Sequence, residues 1–170
     1  MQRRFVIEAV MAAVYGQLLV PGQPVEYIIP YSTVMELYEF QSGRVSVMPE
    51  EEDDAIVKSK IDELIRFLEE PLNKKKIERA LSLPWRKSPA ILVNDQVSFT
   101  IVNALDNAQY GDSFDPIETE LMLTSIREQA PILTDQIEFV DRLVQSGAPV
   151  QVVDIDDFEY ALEADIPFGI

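Results

Sequence analysis

The sequence predicts an α/β domain built on a parallel sheet with helices on its faces. Three observations carry this. Apolar strand-like runs alternate with helical stretches, most clearly from residue 115 onward, and βαβ crossovers produce such alternation. Apolar runs end in acids, as Phe5-Val6-Ile7 ends in Glu8 and Ile132-Leu133-Thr134 in Asp135. Open parallel sheets form their sites at such strand ends. Finally, 170 residues with 47% hydrophobic content suit one domain with a substantial core, residues 1–170 as a single unit.

Residues 3–7 read as a buried strand and Ala9 to Leu19 as an apolar helix. A continuous helix from Gln2 is the rival, because nearly every position is apolar. Pro21-Gly22-Gln23-Pro24 is a turn. Val25 to Ile29 is a strand ended by Pro30, and Ser32 or Thr33 caps the helix that runs to Phe40. Residues 41–54 read as a loop, and Ala55 to Glu69 as an amphipathic helix through Ile56, Ile61, Leu64, Ile65 and Leu68. Pro71 ends that helix. Asn73 caps the next, which runs to Leu83, and Trp85 to Pro89 is a loop. The segment 41–113 thus includes a helical insertion.

Ala90 to Val93 is a short apolar stretch. Val97 to Leu105 is left open between strand and helix, since its β-branched residues favour one and its position the other. Asp106 to Ser113 reads as a polar loop. Asp115, Pro116 and Glu118 give a capping-box start to a helix that runs to Glu128. Ile132 to Thr134 is a strand, and Asp135 to Gln145 a helix stopped by Ser146-Gly147. Val150 to Val153 is a strand. Asp156 caps a last helix through Leu162, and the tail from Ala164 is expected to fray.

The chain has no Cys and no His. Disulfides, thiolate metal sites, imidazole bases and Ser-His-Asp triads are therefore excluded. Any metal site must use oxygen donors, which suit Mg²⁺ and Mn²⁺. The net charge of −16 repels nucleic acid over most of the surface. The exception is residues 71–90, where Lys74, Lys75, Lys76, Arg79, Arg86 and Lys87 face Glu78 alone. Such a patch can guide an anionic partner, although a solvated helix face is the commoner reason for a charge run. No apolar run reaches the length of a membrane span, and Glu8 interrupts the one stretch that loosely resembles a signal peptide. The expectation is a cytoplasmic protein with no membrane partner.

In order along the chain, these motifs resemble the PIN-like domain family. Phe5-Val6-Ile7-Glu8 stands where the family's first strand ends in an acid. Ile28-Ile29-Pro30-Tyr31-Ser32-Thr33-Val34-Met35-Glu36-Leu37 resembles its strand, proline and acid-bearing helix. Glu118 stands where a third acid opens a helix, ahead of Leu133-Thr134 and the aromatic Phe139. Val150 to Asp154 is similar to its last strand and acidic loop. The chain departs from the family in two places: Glu8 stands for the usual Asp, and Gln136 falls at the expected fourth acid.

The resemblance implies a three-layer PIN-like domain with a helical insertion and a metal-dependent nuclease acting on RNA. Glu8, Glu36, Glu118 and Asp135 are then the catalytic candidates. With Asp115 and Glu138 they are also the candidate ligands of Mg or Mn. Thr134 would orient a ligand or phosphate, and the basic 74–87 segment would guide RNA, with Trp85 able to stack on a base. Each acid also has an ordinary reading as a helix cap or surface charge. Two alternatives follow: a PIN-like module that has lost catalysis, and an acidic domain that binds a basic protein partner. A homodimer is left open.

Overall fold

The computed structural model describes residues 3–43, 45–105 and 113–163. Strand β1 (Arg3–Val6) leads into a short helix α1 (Met11–Val14), a 3-10 turn (Gly16–Leu19), β2 (Val25–Pro30) and α2 (Tyr31–Gln41). Then come α3 (Glu51–Leu68), α4 (Pro71–Ala80), β3 (Ile91–Leu92) and β4 (Val97–Val102). The chain continues through α5 (Pro116–Glu128), β5 (Ile132–Leu133), α6 (Ile137–Ser146), β6 (Val152–Val153) and α7 (Ile155–Glu163). The six strands lie in the order β3-β4-β2-β1-β5-β6. All neighbours are parallel except β3, which runs antiparallel to β4.

The sheet is buried on both faces, as parallel sheets require. Successive residues point to opposite sides. Phe5, Ile7, Tyr27, Ile29, Phe99 and Ile101 join one core with α1, α3 and α7. Val6, Ile28 and Val102 join a second core with Leu121, Met122, Phe139 and Leu143 of α5 and α6. The result is a three-layer α/β/α arrangement of a mainly parallel sheet. Among the described residues, no helix is long and apolar enough to cross a membrane.

Several local expectations are corrected. The helix expected over Ala9–Leu19 breaks at Tyr15, whose φ and ψ of −115° and 87° are not helical. Residues 97–102, which the sequence left open, form a strand, because packing between β2 and β3 outweighs their position in the chain. The helix α3 starts at Glu51, so the acidic run 51–54 is its first turn rather than loop, where the helix dipole favours it. Asn73 lies inside α4, and its Nδ2 donates to Phe67 O at 2.9 Å. Pro71 opens that helix instead of ending the previous one, since a missing N–H costs nothing in a first turn.

Neither Ser32 nor Thr33 caps α2, whose N-cap is Pro30. The cap of α6 is Gln136 rather than Asp135. Asp154, not Asp156, accepts the N–H of Asp157 at the start of α7. The capping box at Asp115 and Glu118 is present in full. The expected loop at 106–112 and the tail from Ala164 lie outside the described residues.

Candidate functional site at the carboxyl edge of the sheet

Among the five parallel strands the order reverses between β1 and β5. A crevice outside the carboxyl ends of the strands opens at such a point. Glu8 lies just past β1 and Asp135 just past β5. Both line a cleft of about 460 Å³, together with Tyr15, Glu36, Met48 and Gln136.

Local bonding explains why Glu8 and Glu36 share it. Ile7 N–H donates to Ile28 O at 3.0 Å, which keeps β1 beside β2 up to the turn. Ala9 N–H then donates to Thr33 Oγ1 at 3.0 Å, and that hydroxyl donates to Pro30 O at 2.8 Å. One buried threonine thus ties the exit of β1 to the first turn of α2, and Glu36 follows one turn later. On the other side, Thr134 Oγ1 accepts Gln136 N–H at 3.2 Å. Gln136 Nε2 donates to Glu8 Oε1 at 2.7 Å, and Tyr15 OH to Asp135 Oδ2 at 2.7 Å.

The electrostatics are those of acids without a counter-charge. Burial pushes Glu8 up to about 8, helped by Glu36, Asp135, Asp115 and Glu118. Burial likewise pushes Glu36 up to about 7, with Glu39, Asp115 and Glu120 adding to it. The largest neighbouring charges acting on either group are therefore negative. Tyr15 rises to about 12 through burial and its bond to Asp135.

Glu118 is different. Burial raises it, but Arg142 outweighs that and holds it below the usual carboxylate range. The two Arg142 guanidinium nitrogens donate to Oε1 and Oε2, each at 2.6 Å, and one also reaches Ser113 O at 2.9 Å. Glu118 Oε1 further accepts Asp115 N–H at 3.1 Å. This carboxylate holds the start of α5 to α6 and does not line the cleft.

The structure thus brings Glu8, Glu36 and Asp135 to one cleft, with Asp115 and Glu118 within electrostatic reach. Glu138 is exposed on the first turn of α6 and lies outside the cleft lining. Thr134 is 3% exposed, and its hydroxyl shapes the turn that leads to Gln136. Lys74, Lys75, Lys76 and Arg79 lie on α4, with Lys76 Nζ donating to Ala90 O. Lys87 pairs with Glu128 at 3.0 Å. Among the described residues, no group of three or more Asp or Glu stands ready to hold a metal ion.

Sequence reasoning missed Tyr15, Arg142, Ser32 and Glu120. Arg142 is one helical turn from Glu138, so sequence spacing suggests a local pair, while the actual partner is 24 residues away. Ser32 Oγ donates to Glu120 across the sheet edge, a contact with no signal in spacing. Comparison with protein-family models and with curated protein sequences returned no match.

Proposed function

We propose that the chain is a PIN-like domain that hydrolyses phosphodiester bonds in RNA with the help of Mg or Mn. One observation carries this reading: Glu8, Glu36 and Asp135 line a single cleft at the point where the strand order reverses, and the largest charges acting on Glu8 and Glu36 are negative. Perturbed acids in a cleft mark functional sites. The donor set fits the ion, since carboxylate oxygens suit hard divalent cations. Glu8, Glu36 and Asp135 would hold it by closing on the ion, since among the described residues no three acids are already gathered for one. Glu118 does not fit as a ligand, because Arg142 already occupies both its oxygens.

When bound, the cation lowers the pKa of a coordinated water and offsets charge on the phosphodiester. The chain's own residues set the cleft. Gln136 orients the Glu8 carboxyl, and Tyr15 orients Asp135. Arg142 and Glu118 fix α5 against α6. Below pH 8 Glu8 holds its proton, so cation binding must release it.

A second reading has its own support. Gln136 sits at the family's fourth acid and bonds Glu8, and Arg142 takes Glu118. Both bonds hold the site together without a cation, as in a binding module that has lost catalysis. Calorimetry with Mn²⁺ separates the two. The hydrolase reading expects micromolar binding at pH 8, at least tenfold weaker in Glu36→Gln and unchanged when Glu51 and Glu52 both become Gln. Equal, weak binding in all three chains would sink it and leave the binding module, with a basic protein as the partner to capture.

A further inference from the structure

Residues 83–86 carry a feature the carboxylate cleft does not use. They form a β-turn closed by Arg86 N–H donating to Leu83 O at 3.3 Å. Pro84 takes its second position and Trp85 its third, with φ of 63°. Proline followed by a positive φ is the order of a type II turn, whose third position favours Gly. A bulky residue in the left-handed region is strained, and such strain persists where the surroundings hold it. Here they do: Trp85 N–H donates to Asn103 O at 2.8 Å, Asn103 N–H to Arg86 O at 3.0 Å, and Asn103 Nδ2 to Leu83 O at 3.0 Å.

The half-buried indole packs on the core beneath α5. Above its ring, the Arg127 guanidinium lies 4.3 Å from the centroid. Arg127 is exposed. Among the described residues, neither Arg127 nor Arg86 forms an ion pair. Acids outnumber bases 30 to 14 in this chain, so an arginine left over an indole without an ion pair is unexpected; the neighbouring Arg86 guanidinium donates to Ser82 Oγ at 2.9 Å. The acid next in sequence, Glu128, is already taken by Arg4 and Lys87.

We propose that Trp85, Arg127 and Arg86 form a platform for an unpaired base of single-stranded RNA. The base stacks on the outer face of the Arg127 guanidinium, which the indole holds in place, and Arg86 meets the adjoining phosphate. Guanidinium planes stack on bases, and a stack of this kind selects nucleic acid over an acidic peptide. The Trp85 backbone sits beside the exit of β4, and Arg127 directly precedes Glu128, which pairs with Arg4 of β1. The choice of RNA rests on the hydrolase reading; the platform itself does not.

Trp85 is the only tryptophan, so its emission reports on the platform alone. The experiment titrates a short single-stranded oligoadenylate into the chain in EDTA and follows that emission. An abasic oligonucleotide of equal length and a polyglutamate peptide serve as comparison probes. Saturable quenching is expected, about tenfold weaker in affinity for the abasic probe and for Arg127→Gln, whose melting temperature checks its fold. Equal affinity for the abasic probe, equal affinity for polyglutamate, or no loss in a folded Arg127→Gln would overturn the platform. Cleavage of the same RNA with Mn²⁺ is scored separately. Quenching without cleavage keeps the platform and removes the hydrolase; cleavage without quenching does the reverse.

Discussion

The two ends of the central strands treat buried acids in opposite ways. At the amino end, Arg4 of β1 pairs with Glu26 of β2 at 2.9 Å and with Glu128 of α5 at 2.8 Å. Lys87 adds a second cation on Glu128, and Thr100 of β4 donates to Glu26 at 2.6 Å. Burial alone would raise Glu128, but its two basic partners bring it below the usual range. Four residues on, about 13 Å along the extended chain, burial and the neighbouring acids raise Glu8 to about 8, and its hydrogen-bond partner is the neutral Gln136. The fold can therefore supply counter-charges to buried carboxylates. Their lack at the carboxyl edge is local to the cleft, and that contrast supports a cation-binding role there.

The largest test of this contrast removes the counter-charge at the amino end. Arg4→Leu leaves Glu26 and Glu128 partly buried with one partner fewer each. Breaking such a pair costs about 2 to 3 kcal/mol, allowing for the solvent that already reaches Arg4. Urea unfolding at pH 7 measures it. A loss below about 0.5 kcal/mol would make the amino-end network a set of surface pairs and remove the contrast.

Glu8→Gln tests the other end and is expected to act with opposite sign. In the folded chain Glu8 is raised above the ordinary carboxylate value of 4.5. Between about pH 4.5 and 8 the unfolded chain has released this proton while the folded chain keeps it, so stability falls as pH rises through that window. Gln cannot ionise, keeps an oxygen to accept from Gln136, and so removes that fall. The variant should be more stable than the wild type at pH 8 and close to it at pH 4.5. Unfolding curves at the two pH values decide it, and parallel behaviour of both chains would mean that Glu8 is an ordinary solvated acid.

Much of this architecture was legible. The alternation after residue 115, the turn at 21–24 and the capping box at 115–118 follow from local chemistry, so local rules found them. Glu8 and Asp135 could be placed at strand ends because apolar runs stop there. What could not be read was set by distant contacts. Residues 97–102 became a strand through partners at 25–30 and 91–92, and Ala9 to Leu19 broke at Tyr15, whose hydroxyl reaches Asp135. The partner of Glu118 was hidden for the same reason. Its position marks a helix start in either case, and only the fold shows that Arg142 claims it.

Asp115 offers the finest test, because it serves the fold and the cleft by different means. Its side chain accepts Glu118 N–H at 2.7 Å, and its charge raises both Glu8 and Glu36. Asn caps a helix about as well as Asp but carries no charge, whereas Ala does neither. Asp115→Ala should cost about 1 kcal/mol of stability, and Asp115→Asn less than about 0.5 kcal/mol. Both should lower the pKa of Glu8 and Glu36, read from the carboxyl carbon shifts of the glutamates by NMR titration. If Asp115→Asn leaves those titrations unmoved, Asp115 acts through its cap alone and the field at the cleft comes from Glu36 and Asp135. If they move without loss of stability, the start of α5 is part of the electrostatics of the cleft, although none of its side chains lines it.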